Sequence, residues 1–206
     1  MLKIWGRTNS VNVQKVLWCC GEIGLPFSRI DAGMQFGVNN TPEYLAMNPN
    51  GRVPTIDDDG FILWESQAIV RYLARKHSAG KLWPDGALTC ANADRWMDWY
   101  ASTLWPNLQP IFWGLVRTPP EKRDMAAIEE SRKKLADSFK IVDDNLAQHV
   151  HMAGDAFSMG DIPMGVAAWR WFNLPIERPE YPNLKRWYDL IRQRPAYREH
   201  CAQPLT

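Results

Sequence analysis

Long apolar runs are missing from this chain: no stretch approaches the roughly 20 uninterrupted apolar residues of a membrane span. No secretory leader is expected either, since Met1-Leu2-Lys3-Ile4-Trp5 does not read as the start of one. The expectation is a cytoplasmic protein without a membrane partner. Cysteine is scarce, and Cys19, Cys20, Cys90 and Cys201 have neither zinc-site spacing nor a Cys-x-x-Cys pair. They are expected to be reduced thiols, with no metal bound. A surplus of one charge is also absent: 24 Lys and Arg face 23 Asp and Glu, a net charge of +1, with no long basic or acidic run. That argues against a nucleic-acid partner and favours a small neutral or zwitterionic ligand.

What the chain does have is a change of periodicity. Leu2 to Trp5 reads as a strand, and Val13, Val16, Leu17 and Cys20 repeat at helical spacing up to Gly21 or Gly24. Phe27 to Ile30 reads as a second strand, followed by a short helical turn over Pro42 to Met47. Val53 to Ile56 and Phe61 to Leu63 read as a hairpin joined by Asp57-Asp58-Asp59-Gly60, whose carboxylates suit a solvated turn without a metal ion. A helix from Ser66 to about Lys76 completes the order β-α-β-α-β-β-α.

Beyond Ser78 to Gly86 the pattern is helical only. The expected division is residues 1–80, a linker at 81–86, and an all-helical domain over 87–206; the fold class is α+β. Ala93, Trp96, Met97, Tyr100, Leu104, Leu108 and Ile111 form one long stripe, and Pro106 and Pro110 should bend that helix. Ile128, Leu135, Phe139, Val142 and Leu146 mark a second long helix. Ser158 and Asp161 read as a capping pair for a third, with Phe157 packing on Ile162. Eleven tryptophans, seven of them beyond residue 86, are available for core, pocket wall or subunit interface.

Four places could carry chemistry. The loop Arg7-Thr8-Asn9-Ser10-Val11-Asn12 precedes the first helix, where backbone N–H groups and the helix dipole favour an anion; Ser10 and Asn12 either add donors or cap the helix. Val53-Pro54 is an X-Pro bond entering a strand, a place where a cis bond would turn backbone groups toward a ligand. Glu65-Ser66 puts a carboxylate, a hydroxyl and a helix N-terminus together, which suits a zwitterionic amino-acid group, with simple capping by Ser66 as the other reading. The stripe with Tyr100, Leu104, Trp113 and Arg117 either faces the first domain or packs as core.

Taken in order, Ser-x-Asn-Val-x-Lys-Val, Asn48-Pro49-Asn50-Gly51-Arg52-Val53-Pro54, Trp64-Glu65-Ser66-Gln-Ala-Ile69-x-x-Tyr72-Leu73 and Phe157-Ser158-x-x-Asp161 resemble the glutathione transferase family over essentially the whole chain. The likeness is greatest to bacterial members of theta, nu or beta type with a serine near the N-terminus. It implies a thioredoxin-like first domain, a cis Val53-Pro54 bond, and a detoxifying enzyme with glutathione as co-substrate and a small hydrophobic or anionic electrophile as second substrate. Carried over by motif, Ser10 and Asn12 are the catalytic donors, and Asn39, Arg52, Val53, Glu65 and Ser66 bind glutathione, with Gln35 a further candidate at the glycyl end. Arg7, Tyr100, Trp113 and Arg117 form the electrophile pocket, and a homodimer is implied. The same thiolate chemistry would also serve peroxide or disulfide reduction, and a non-catalytic binding protein would share the motifs.

Overall fold

Ile4 alternates inward along β1 (Leu2–Trp5) and Ile56 along β3 (Thr55–Asp58), and both are fully buried in a small four-stranded sheet. The computed structural model describes residues 1–206. The sheet order is β2-β1-β3-β4, with β2 (Phe27–Ile30) parallel to β1 and the other pairs antiparallel, including β4 (Phe61–Trp64). β3 begins two residues later than the β-prone run suggests. Thr55 pairs with both Trp5 and Trp64, and the Val53-Pro54 bond before it is cis.

The hairpin closes on Asp59-Gly60, both at positive φ (52° and 96°), which is what makes an Asp-Gly pair fit so short a connection. Each of the three aspartates has a local partner. Asp57 accepts from the Gly60 N–H at 2.6 Å, Asp58 from Tyr72 and Lys76 at 2.7 and 2.6 Å, and Asp59 from the N-terminal ammonium at 2.6 Å.

Helix α1 (Val11–Ile23) ends at Gly24, whose φ of 64° closes it in a left-handed cap. It packs against α3 (Ser66–His77), while Tyr44 of the short α2 (Pro42–Met47) is buried. Gly6, just after β1, lets strand and helix approach: a Cβ there would stand 2.3 Å from a Val13 methyl.

The helical half begins with α4 (Ala87–Trp99), which runs through a wide i→i+5 turn at Tyr100–Leu104 into α5 (Trp105–Phe112) and a second such turn at Trp113–Arg117. The expected irregularity takes this form at Pro106, which would crowd the carbonyl four residues back in an ordinary turn and follows the wider one, whereas Pro110 lies inside α5.

The long α6 (Met125–Gln148) is capped by Asp124, which accepts from the Ala127 N–H at 3.0 Å, and packs on α5 and on α8 (Pro182–Ile191). α7 (Asp161–Asn173) fills the centre, and α9 (Pro195–His200) returns to pack on α1. No helix is long and apolar enough to cross a membrane.

Before α7 the capping pair forms. Asp161 accepts from the Ser158 N–H at 2.9 Å and Ser158 Oγ from the Gly160 N–H at 3.3 Å. Asp161 also accepts from the Met152 N–H at 3.0 Å and from Trp187 Nε1 at 2.9 Å, so one fully buried carboxylate ties α7 to α8. Phe157 packs on Trp18, with ring centres 5.5 Å apart, and beneath the Arg194 guanidinium.

α1 is therefore gripped from both halves. Trp18 lies edge-on to Tyr197 of α9 at 4.7 Å, Gln14 accepts from Arg170 at 3.1 Å, and Glu22 pairs with Arg194 at 2.6 Å. A single apolar cluster runs from Leu2 to Cys201, so the two halves share one core, and Cys19, Cys20 and Cys201 are buried in it as free thiols.

Candidate functional site

The cleft between the halves is built on the junction of β1 and α1. Ser10 occupies the N-cap position with extended backbone, yet its side chain makes no capping bond, and it is nearly buried on the cleft wall. A serine at this position ordinarily spends its hydroxyl on the N–H two or three residues on. Here the hydroxyl is left for something else.

Asn12 differs. Its Oδ1 accepts from Lys15 Nζ at 2.9 Å and from Ser66 Oγ at 3.4 Å, while its NH2 has no partner within the protein. Asn12 lines both the main cavity, about 390 Å³, and a smaller adjoining one of about 110 Å³.

The smaller cavity is walled by Asn48, Asn50, Arg52, Val53, Glu65 and Ser66 among others. Ser66 opens α3, so its hydroxyl and the unpaired N–H groups of the first turn meet there. Glu65 just before it is exposed and holds φ at 71°, a left-handed conformation that costs a non-glycine residue on the order of 1–3 kcal/mol and tends to mark functional positions. Carboxylate beside helix N-terminus is a pair matched to a zwitterion.

Between the cavities, the Arg52 carbonyl is held by Tyr44 at 2.7 Å and Asn48 at 2.8 Å, and Arg52, an exposed residue, lines both. Asn39 donates to the Gly51 carbonyl at 2.7 Å and also lines the main cavity. Gln35 is exposed in the turn Met34–Phe36 and is not part of the lining, so of the two candidates for the glycyl end only Asn39 reaches the cleft.

On the helical side the cavity is walled by Trp105, Gln109, Phe112, Trp113 and Arg117. Arg117 donates to Met34 Sδ and to the Thr206 carbonyl, both at 2.8 Å, and lies over the Phe112 and Trp113 rings. Arg7 enters from the sheet side; burial and the neighbouring Arg117 charge lower its pKa, and its Nε has no partner. No carboxylate lines this cavity, whereas Arg7, Arg52 and Arg117 all do.

Tyr100 is a correction. It is buried with its stripe, its ring facing Lys15 Nζ at 4.2 Å and stacked on Trp105, and it does not reach the cavity. Every residue of the stripe from Ala93 to Ile111 packs as core. The stripe stays buried through the wide turn at Tyr100–Leu104, and the cleft receives the adjoining side of α5: Trp105, Gln109 and Phe112 at spacings of four and three. These three were not picked out from the sequence, although two aromatics and an amide at helical spacing were a usable signal.

The sequence and fold have known counterparts. A family model for the glutathione S-transferase N-terminal domain matches residues 1–75, and one for the C-terminal domain matches residues 104–195. Glutathione S-transferase GstB of Escherichia coli is 45% identical over the full length of both chains, and glutathione S-transferase 3 of Zea mays is 29% identical, covering 98% of this chain and 93% of its own. Among solved structures, the theta class glutathione S-transferase of Xanthomonas axonopodis pv. citri with glutathione bound superposes with a TM-score of 0.96 at 46% identity, covering 100% of this chain and 99% of its own. With each half matched in order by its own domain model and the whole length matched by enzymes of one kind, the chain belongs to the glutathione S-transferase family.

Proposed function

We propose that this glutathione S-transferase holds glutathione across the two adjoining cavities and raises the thiolate fraction of its thiol for attack on a small electrophile. Glu65 takes the γ-glutamyl ammonium, and the Ser66 N–H with the other first-turn N–H groups of α3 takes its carboxylate. The main chain around Val53 pairs with the cysteinyl unit, and Asn39 and Arg52 reach the glycyl end. In this arrangement residues 1–80 bind glutathione, 81–86 link, and 87–206 supply the electrophile wall. The active molecule is a cytoplasmic homodimer.

The observation that carries the reading is the unspent Ser10 hydroxyl at the α1 N-terminus, on the cavity wall. A free thiol titrates near 8.5, so little is ionised at neutral pH. Lowering that value by about two units takes about 2.7 kcal/mol of preferential thiolate stabilisation. One or two hydrogen bonds donated to sulfur, from Ser10 and the Asn12 NH2, are of this size, with the helix dipole adding to them. Ser10 acts as donor, and the carbon–sulfur bond forms between glutathione and the electrophile as the leaving group departs, with no covalent bond to Ser10.

The electrophile then lies against Trp105, Phe112 and Trp113, and Arg7 and Arg117 favour one that carries a carboxylate or similar anion. The test is glutathione binding followed by turnover with halogenated, epoxide and peroxide substrates, neutral and anionic, for the parent and Ser10→Ala. The expected result is conjugation by the parent, reduced by about two orders of magnitude or more in the variant. Binding without turnover would leave a non-catalytic module, and turnover confined to peroxides or disulfides would replace conjugation by reduction.

A further inference from the structure

Lys15 is the most unusual charge in the molecule. It sits on the buried side of α1, fully enclosed, and its ammonium has two neutral acceptors and an aromatic face as neighbours: Asn12 Oδ1 at 2.9 Å, Ser66 Oγ at 3.3 Å, and the Tyr100 ring at 4.2 Å. The nearest charges do little to explain it. Arg170 on α7 opposes it, and Glu65 before α3 favours it from beyond ion-pairing distance. Burying an ammonium among neutral groups is unfavourable next to burying methionine, so stability does not account for a lysine here.

Its contacts do. An ammonium has three donors and no acceptor. Asn12 has one carbonyl oxygen and one NH2 that could face either way, and its oxygen is claimed by Lys15 from below. The NH2 is thereby turned away from Lys15. The same ammonium donates to Ser66, whose hydroxyl in turn donates to Asn12, closing a three-membered ring of polar side chains between the two cavities.

We propose that Lys15 is a positioning residue for the transferase reaction: it fixes the Asn12 amide with its NH2 toward the glutathione sulfur and ties that donor to Ser66 in the glutamyl cavity. The proposal rests on the donor role of Asn12 stated above. It makes Tyr100, displaced from the pocket wall, the floor on which this lysine rests.

The experiment is a double-mutant cycle on the full-length protein, with kcat/KM for glutathione and the thiolate absorbance of bound glutathione against pH as readouts. Asn12→Ala and Lys15→Met should each lower kcat/KM roughly tenfold to a hundredfold and move the thiolate titration upward, the size of one hydrogen bond to a charged group. The double variant should be no worse than Asn12→Ala alone. Lys15→Arg, which keeps charge and donors, should restore most of the activity, and it serves if Lys15→Met folds poorly. Asn12→Asp, which keeps an acceptor for Lys15 but offers the sulfur no donor, should be as impaired as Asn12→Ala.

Multiplying effects in the double variant, or an unmoved thiolate titration in Lys15→Met, would overturn the positioning role while leaving thiol activation intact. An active Asn12→Asp would also overturn it, since Asn12 would then be only an acceptor. No effect of Asn12→Ala would remove the donor role on which the proposal rests, and Ser10→Ala would then report separately on thiol activation.

Discussion

The two walls of the cleft are made by different means. The sheet side is a set of short polar loops at strand–helix junctions, several of whose groups are fixed by hydrogen bonds: Asn39 to Gly51, the Arg52 carbonyl to Tyr44 and Asn48, Asn12 to Lys15. The helical side is one face of a helix twice widened to five-residue turns, carrying rings and a long arginine. The first has a defined hydrogen-bonding pattern, as recognition of one constant ligand demands. The second has area and charge with little directional constraint, which suits a second substrate that varies.

The largest effect expected from disturbing this contrast lies under the helical wall. Asp161→Ala leaves the Met152 and Ser158 N–H groups and the Trp187 indole without their acceptor, and should lower stability by about 3 kcal/mol or more in denaturant titration. A loss under 1 kcal/mol would mean that α7 is held by apolar packing alone. On the sheet side, Glu65→Ala should weaken glutathione binding by roughly tenfold to a hundredfold, read by calorimetry. Unchanged affinity would take Glu65 out of the ligand site.

A third effect is pH-linked. Burial and the opposing Arg170 charge bring the Lys15 pKa down to about 7 from the usual 10.5. Between these values the unfolded chain binds a proton that the folded one does not, so stability rises as pH climbs from 7 toward 10.5. Relative to Lys15→Met, which removes the titrating group, the parent should gain on the order of 1–2 kcal/mol between pH 7 and 9. Parallel stability profiles would show that Lys15 titrates normally. The smallest effect belongs to the rim of the helical wall. Arg117→Ala should lower kcat/KM for carboxylate-bearing electrophiles by about threefold to tenfold while sparing neutral ones. Equal losses for both would mean that Arg117 acts through packing on Trp113.

These two walls were not equally legible in the sequence. That Ser10, Glu65 and Ser66 lie on the cleft could be read, because a strand end, a polar residue and a helix start fall within a few positions and local chemistry there decides geometry. The helical wall depends on which flank of an apolar stripe meets the other half, and tertiary packing decides that: the stripe with Tyr100 is core along its whole length, and the adjoining Trp105, Gln109 and Phe112 line the cleft. Strand β3 moved for a similar reason: its start is set by pairing with Trp5 and Trp64, which propensity at Val53 does not contain. Lys15 entered only as one letter of the Ser-x-Asn-Val-x-Lys-Val motif and was given no role, since nothing local says that a lysine among Val13, Val16 and Leu17 has no route to water.

The most direct test is the ionisation of bound glutathione, followed by thiolate absorbance against pH in the parent and in Ser10→Ala. If the unspent hydroxyl stabilises the thiolate, the parent titrates about two units below the free thiol, and Ser10→Ala recovers at least one of those units while still binding glutathione. Identical titrations in the two proteins would contradict the account and leave Ser10 as part of the cleft wall alone.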